Sequence, residues 1–420
     1  MRVLCCVSDY PTHYFPLIPL CWALQAAGHE VLVSAGPAQA PTLERAGLTP
    51  VPCGPDLDPV LDARWLAYSL AREGLRPGAL PVLDPETGAE LADLDDFDHA
   101  GFAARRLARL GEAGKARTIA VLELARDQPP DLVLHDLIAA EGIVAAKRSG
   151  VPSVCHLWGL TGTSETTPGL ADLAADVPAP VRMRIGMDPD EPAIRFVLDP
   201  TPPPIVPPTQ ARRIPVRYVP YNGPGALTEP PRPRTGRPRV AVVWSSAIRR
   251  INGPASFVVP ALLDALLARD ADVVLAVGAE EVEHLGPLPA NVRVLSQYPL
   301  RLLLSQCTAV VHHGGAGSAL TTAAAGLPQL VVAFGPMEVR SAQRIAAAGV
   351  GVALPGAFAN RDTIRDAVDQ LLDRQELAVA AAGMARANAA LPSPADIVPM
   401  LRQLAATGTL PALADSALRR

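Results

Sequence analysis

The sequence predicts an α/β protein built from two doubly wound, Rossmann-like lobes. Length, two matching chain openings and a regular alternation of segment types carry that expectation. At 420 residues the chain exceeds what one core ordinarily organises, and two lobes of about 200 residues are the natural division. The runs RVLCCVS (Arg2 to Ser8) and RVAVVWSS (Arg239 to Ser246) are short, apolar and rich in β-branched residues, and each precedes an amphipathic helical stretch. A parallel strand covered on both faces, followed by its crossover helix, has this pattern.

In the first half, LIPLCWALQAAGHEVLVSA reads as a helix ending near Gly28 and a strand from Val31 to Ala35. PDLVLHD (Pro130 to Asp136) and PSVCHLW (Pro152 to Trp158) read as two more strands, joined by the helix IAAEGIVAAKRS and its terminating glycine. The second half predicts a helix over Pro260 to Arg269, strands over Asp272 to Val277 and Val292 to Leu295, and a short helix over Pro299 to Gln306. A strand from Ala309 to Val311, a helix from Ser318 to Ala325, a strand from Gln329 to Ala333, a loop, and a helix from Ser341 to Ala348 follow. Between the halves, the tract from Asp199 to Arg239 holds so much proline that extended chain is favoured over helix or central strand. The expected domains are therefore 1–220, a Pro-rich linker over 221–238, a second lobe over 239–395, and a C-terminal helical segment over 396–420 packing across the junction.

Bulk composition narrows the function classes. Hydrophobic residues make up 49% of the chain, yet no run reaches the roughly 18 consecutive apolar residues of a membrane span. The N-terminus lacks a signal-peptide pattern, so a soluble, cytoplasmic protein is expected. With a net charge of −5 and 37 scattered Lys and Arg residues, a nucleic-acid footprint is not supported; small molecules are the expected partners, and a homodimer is compatible. Six cysteines without a C-x-x-C pair read as reduced core thiols, and the His312–His313 pair lacks further ligands at zinc spacing.

The chemistry is concentrated in VVHHGGAGS, Val310 to Ser318. Small residues at a strand end and helix start let unpaired backbone N–H groups converge on an anion at the positive end of the helix dipole. HGGAGS has no Lys-Ser/Thr and is not a Walker A loop, and the first strand is followed by no glycine fingerprint for a dinucleotide. An imidazole at His313 adds a donor where charge develops on a leaving group. A tight helix–sheet contact that merely needs small residues is the plainer alternative.

Val310 to Val332, with HHGGAGS and AGLPQLVV, resembles the donor-binding signature of nucleotide-sugar glycosyltransferases of the two-lobed GT-B fold. Within them it is most similar to bacterial enzymes that attach deoxysugars to antibiotics. PTHYFPLIPLCWALQAAGHEVLV and VRYVPYNGPG (Val216 to Gly225) resemble other parts of the same group. The resemblance implies lobes facing across a cleft, with the acceptor held by the first and the nucleotide diphosphate by the second. Gly314, Gly315, Ala316, Gly317 and Ser318 would then make room for the diphosphate, with His313 against its oxygens.

His13 follows the first strand at the edge where α/β sheets open their clefts, and an imidazole titrates near neutrality. In the group it resembles, the histidine of this loop is the general base, and Asp136 stands in the place of the carboxylate that supports it. His135 alternates to the other side of its strand and reads as structural. The implied reaction is an inverting, metal-independent displacement at the anomeric carbon. No cofactor is expected beyond the nucleotide-sugar co-substrate, a thymidine diphosphate sugar, and the acceptor is a hydrophobic natural product such as a polyketide aglycone. DPDEP (Asp188 to Pro192) offers an Asp-x-Asp only in a poorly patterned region and reads as a solvated loop.

Some positions depart from the group. Gln297, followed by Tyr298, replaces the usual aromatic residue facing the base. Thr321 stands where an acidic residue holds ribose hydroxyls, and Met337 and Glu338 replace an Asp-Gln pair at the sugar. Met337 suits a less polar sugar, which is consistent with a deoxysugar. Ser246 is placed either to touch a phosphate or to cap a helix. Trp65, Tyr68, Phe97 and Phe102 form either an apolar acceptor pocket or satellite core. A catalytically silent homologue that binds a partner glycosyltransferase, and a sugar-nucleotide epimerase on the same fold, are the competing functions.

Overall fold

The computed structural model describes residues 1–76, 80–171, 173–174, 176–230 and 236–410. Of the expected linker, residues 231–235 lie outside the described residues, and so do 411–420 of the expected C-terminal segment. Two all-parallel sheets organise the chain. The first contains β1 (Arg2–Cys6), β2 (Glu30–Ala35), β3 (Thr49–Pro52), β4 (Leu132–His135), β5 (Ser153–His156), β6 (Phe196–Asp199) and β7 (Arg212–Pro215), in the order β3-β2-β1-β4-β5-β6-β7. The second contains β8 (Arg239–Val243), β9 (Asp272–Ala276), β10 (Val292–Val294), β11 (Ala309–His312), β12 (Gln329–Ala333) and β13 (Gly351–Pro355), in the order β10-β9-β8-β11-β12-β13. Helices cover both faces, which is why the central strands are apolar throughout.

The α/β class and the central strands agree with the expectation from sequence, as does β10 at one edge of the second sheet, whereas β3, β6, β7 and β13 are absent from it. β3 and β7 carry prolines at the sheet's two edges, where a missing N–H donor leaves no central ladder bond broken. β6 and β13 are equally absent from the sequence reading, and β7 shows that the Pro-rich tract does contain a strand. A second correction concerns 334–340, read as a loop. The helix there begins at Pro336 and runs to Ala347, because proline's fixed φ suits a first helical position, so Met337 and Glu338 sit in its first turn.

In each sheet the order reverses beside the first strand. The chain winds outward from β1 to β3 and returns to β4 on the other side of β1, and β8 and β11 repeat the arrangement. Loops leaving the C-terminal ends of β1 and β4, or of β8 and β11, diverge there and open a crevice. Register makes those ends level, since Cys6 lies opposite both Ser34 and His135, and His312 opposite both Val243 and Val331.

The lobes are joined by more than the chain crossing between them. The helix Pro394–Thr407 returns to the first lobe, where Ile397, Val398, Leu401 and Leu404 bury against the core holding Leu17 and Leu24. Full burial of such side chains contributes roughly 1.5–3 kcal/mol each. Deeper in the junction, Glu165 of the loop after β5 accepts both 2.9 Å bonds from Arg344 Nη2 in the helix Pro336–Ala347. The Glu165 side chain is 1% exposed, and removing one partner of such a buried pair strands the other charge. All six cysteines are free and buried. Among the described residues, no helix is long and apolar enough to cross a membrane.

Candidate active site

His13 lies in the short helix Pro11–Tyr14 just beyond β1. Its ring is sandwiched, with Tyr10 at a centroid distance of 4.5 Å and Trp158 at 3.7 Å, both nearly parallel to it. Trp158 follows β5, two strands from β1 in the sheet, so the stack is assembled from the ends of β1 and β5 across β4. Burial between the rings lowers the imidazole pKa to about 3, because desolvation disfavours the charged form. Among the described residues, no carboxylate touches it to offset that effect.

Asp136 comes close by way of Ser8. The Ser8 amide donates to Asp136 Oδ2 at 2.7 Å, and Ser8 Oγ lies 3.4 Å from His13 Nδ1. The amides of Ile138 and Ala139 donate to Oδ1 at 3.0 and 3.1 Å. Burial raises the Asp136 pKa, opposed by the amide and hydroxyl of Ser8 and by those two amides. A direct carboxylate–imidazole contact is therefore replaced by a hydroxyl-bridged one. If the Ser8 proton points to Asp136, Ser8 Oγ accepts from His13 Nδ1–H and Nε2 is left as the basic nitrogen. His135 is wholly buried, with Nδ1 2.8 Å from the Asp136 carbonyl oxygen.

Across the crevice, the helix Ala316–Ala325 begins at Gly315 with no side-chain cap. The amides of its first turn, Ala316, Gly317 and Ser318, are thus free to meet an anion. His312 fixes the turn before them: Nδ1 accepts from the Gly314 amide at 3.0 Å while Nε2 lies 2.8 Å from Gln329 Oε1. Gly314 has φ +99, and a Cβ there would come 2.7 Å from Glu338 Cβ. The His313 ring lies over Gly315, whose Cβ would be 2.9 Å from His313 Cε1. Its Nδ1 is buried without a hydrogen-bond partner among the described residues, and burial lowers its pKa to about 3. The small residues are needed for space around these side chains as well as for backbone access.

Other expected donor-site residues divide. Met337 joins Ala316, Trp158 and Leu157 in one apolar cluster bridging the lobes. Glu338 packs its side chain on Gly314, and its carboxyl pKa is raised by burial against the lowering pull of its own amide and that of Gly335. Ser245, not Ser246, caps the helix Ser246–Asn252, which leaves the Ser246 hydroxyl free of that duty. Gln297 is an exposed turn residue with φ +48, and its carbonyl accepts from the Ala226 amide at 3.1 Å. Tyr298 is buried in the core with its hydroxyl donating to the Glu229 carbonyl at 3.2 Å, so its ring is committed to packing. Tyr68, Phe97 and Phe102 form a buried satellite cluster with Trp65 against it. Asp188 and Asp190 are exposed, and Glu191 pairs with Lys147 at 2.8 Å.

Sequence reasoning missed Ser8, Tyr10, Trp158 and His312. Trp158 alone had a usable signal, its position at the same strand edge as His13. Among the described residues, no three His, Cys, Asp or Glu side chains gather as metal ligands would.

Known proteins share this architecture from end to end. Residues 260–404 match the family described as erythromycin biosynthesis protein CIII-like, C-terminal domain, and residues 22–72 and 110–243 match the corresponding N-terminal domain. The chain is 32% identical to TDP-daunosamine transferase DnrS of Streptomyces peucetius over 98% of its own length and 99% of that protein's. It is also 32% identical to 10-deoxymethynolide desosaminyltransferase of Streptomyces venezuelae, with 97% of each chain covered. The solved structure of spinosyn rhamnosyltransferase SpnG complexed with thymidine diphosphate superposes with a TM-score of 0.76 at 29% identity, covering 96% of this chain and 100% of that one. With two facing parallel-sheet lobes, an anion-ready helix end and these relatives, the chain belongs to the erythromycin biosynthesis protein CIII-like family of GT-B antibiotic glycosyltransferases.

Proposed function

We propose that the chain transfers a deoxysugar from a thymidine diphosphate donor to a hydrophobic polyketide-type acceptor with inversion at the anomeric carbon. The observation that carries this reading is one apolar cluster in which Trp158, stacked on His13, meets Ala316 of the uncapped helix and Met337. Base and leaving-group pocket are thereby held on opposite sides of a single crevice. The acceptor oxygen attacks the anomeric carbon from the His13 side, its proton passes to Nε2, and the bond to the diphosphate breaks with its electron pair leaving on the phosphate oxygen. Donor and acceptor classes are supported by the relatives' names and by SpnG structures with thymidine diphosphate and with spinosyn aglycone.

A pKa of about 3 keeps His13 neutral at working pH, so it is always ready to accept a proton. The driving force arises as the attacking hydroxyl becomes acidic in the transition state, and Asp136 steadies the imidazolium through Ser8. The leaving diphosphate meets the first-turn amides and His313, which makes a metal ion unnecessary to the mechanism. We place the acceptor in the first lobe, over 1–220, and the donor in the second, over 239–395. The test is a mass-spectrometric screen of thymidine and uridine diphosphate sugars against polyketide aglycones. A glycoside formed from a thymidine diphosphate deoxysugar, of anomeric configuration opposite to the donor's, is the expected result; retention, or sugar turnover without transfer, would contradict the reading.

A further inference from the structure

The loop that leaves β5, Leu157 to Glu165, faces two ways. Near its start, Trp158 lies over His13 with the ring centroids 3.7 Å apart. Beyond that point the loop presses on the second lobe. Gly159 meets the helix Ala316–Ala325 so closely that a Cβ on it would come 2.8 Å from that of Ala316, and Leu160 is buried among Ala319, Leu320 and Ala323.

One side chain of the second lobe gathers this loop. Arg344 donates from Nη1 to the Leu160 carbonyl and from Nη2 to both carboxylate oxygens of Glu165, at 2.9 Å each. Glu165 Oε1 also accepts from the Gly162 amide at 2.9 Å, so residues 160, 162 and 165 are fastened through a single guanidinium. Arg340 Nε stands farther off, at 4.0 Å. Stability alone does not call for this arrangement, because apolar residues of similar volume often serve as well in place of a buried pair. What the pair adds is direction, since a planar fork fixes where its acceptors lie.

The helix that carries Arg344, Pro336–Ala347, reaches the loop at a second point. Met337 lies two turns earlier on the same face, about 10 Å away along the axis, and packs in the apolar cluster of Leu157 and Trp158. The loop is therefore held at its start and at its end by one rigid element. We infer that Arg344 and Glu165 are positioning residues for His13, fixing the loop so that the indole of Trp158 stays on the imidazole and keeps water from it. The inference rests on His13 being the base, and it makes the surroundings of that base depend on both lobes.

The other neighbours of the ring leave this role to the indole. Tyr10 covers the opposite face, and Ser8 Oγ stands at Nδ1 with Asp136 behind it. Burial raises the Tyr10 phenol above its usual range, so it stays neutral. Among the described residues, no charged side chain touches the imidazole, and its cover decides where it titrates.

The test is an NMR pH titration of the full chain carrying isotope-labelled histidine, with His13→Gln assigning the signal and thermal melting of each variant alongside. In the wild type, His13 should remain neutral down to about pH 5, well below the ordinary histidine range. Arg344→Lys keeps the charge and loses the planar fork, whereas Arg344→Met combined with Glu165→Met removes both charges and strands neither. In both, His13 should titrate near about pH 6. Transfer should slow about 10-fold to 100-fold, as misplacement at a reacting centre does, while calorimetry shows thymidine diphosphate affinity unchanged. A His13 that stays neutral to about pH 5 in both variants would overturn the assignment. So would a loss of nucleotide affinity as large as the loss of rate, the mark of a lobe junction that has merely come apart. A wild-type chain that transfers no sugar would overturn the functional reading instead, and the titration, which needs no substrate, would still decide what the pair does.

Discussion

The imidazole of His13 and the indole of Trp158 lie face to face, their centroids 3.7 Å apart and their planes within 10°. Trp158 in turn shares an apolar cluster with Ala316 and Met337 of the other lobe. The imidazole is thus desolvated by the same side chain that connects it to the uncapped helix end of the second lobe. Replacing Trp158 with Leu keeps the position apolar but removes the indole face, opening one side of the imidazole to water. The acidic limb of kcat/KM should then move upward from about pH 3 toward about pH 6, the ordinary histidine range. Aromatic pairing worth about 1 kcal/mol is lost with it, so kcat should fall several-fold. An unmoved pH profile would show that the stack does not set the basicity of His13.

Asp136 and Ser8 should separate by phenotype. Asp136→Ala leaves the buried amide of Ser8 and the half-buried amide of Ile138 without their acceptor, and that of Ala139 with only a 3.4 Å bond to the carbonyl of residue 136. At roughly 1–3 kcal/mol for each unsatisfied group, chemical denaturation should report a loss of at least about 2 kcal/mol. Ser8→Ala removes only the bridging hydroxyl; stability should fall by no more than about 1.5 kcal/mol, while kcat drops about tenfold with KM unchanged. Equal effects of the two substitutions on both stability and kcat would argue against a bridge.

Gly314→Ala forces a side chain into a φ of +99 and brings its Cβ 2.7 Å from that of Glu338. Strain of this kind costs about 1–3 kcal/mol. The melting temperature should fall and thymidine diphosphate affinity with it, because the displaced turn carries the first helical amides. Wild-type affinity in a folded Gly314→Ala protein would show that the turn does not shape the anion pocket.

Much of this architecture is readable in the chain, and the unread parts have physical causes. β1, β4, β8 and β11 announce themselves because a strand covered on both faces must be apolar throughout, and Gly150 ends its helix in the left-handed region with φ +69. β3, β6 and β7 do not, since proline at β3 and β7 disguises edge strands and β6 lies between Pro192 and Pro200 at the start of the Pro-rich tract. His13, Asp136 and the glycine turn are visible because local spacing places them at strand ends. The Trp158 stack, the Ser8 bridge and the hold of His312 on Gly314 depend on how side chains turn once distant or successive segments have folded, and periodicity says nothing of that.

Buried histidines make the fold sensitive to acid. Burial lowers the pKa of His13 and His313 to about 3 and of His135, His156 and His312 to about 4, against about 6.5 in the unfolded chain. Between those limits the unfolded state binds protons that the folded state refuses, so stability falls as pH falls. Glu141 acts oppositely: its pKa is raised to about 7, and the folded state holds a proton the unfolded state has lost. Five histidines outweigh it, and the melting temperature should drop by at least about 5 °C from pH 7.5 to pH 5. A flat or rising profile would show that these rings are charged in the folded protein.

The most direct test of the central claim is single-turnover transfer from a thymidine diphosphate deoxysugar to a polyketide aglycone by wild-type protein and His13→Ala. The account predicts a rate lowered by about 10² to 10⁴ with thymidine diphosphate affinity unchanged, because the base and the nucleotide pocket belong to different lobes. A His13→Ala protein that transfers sugar at the wild-type rate would contradict it.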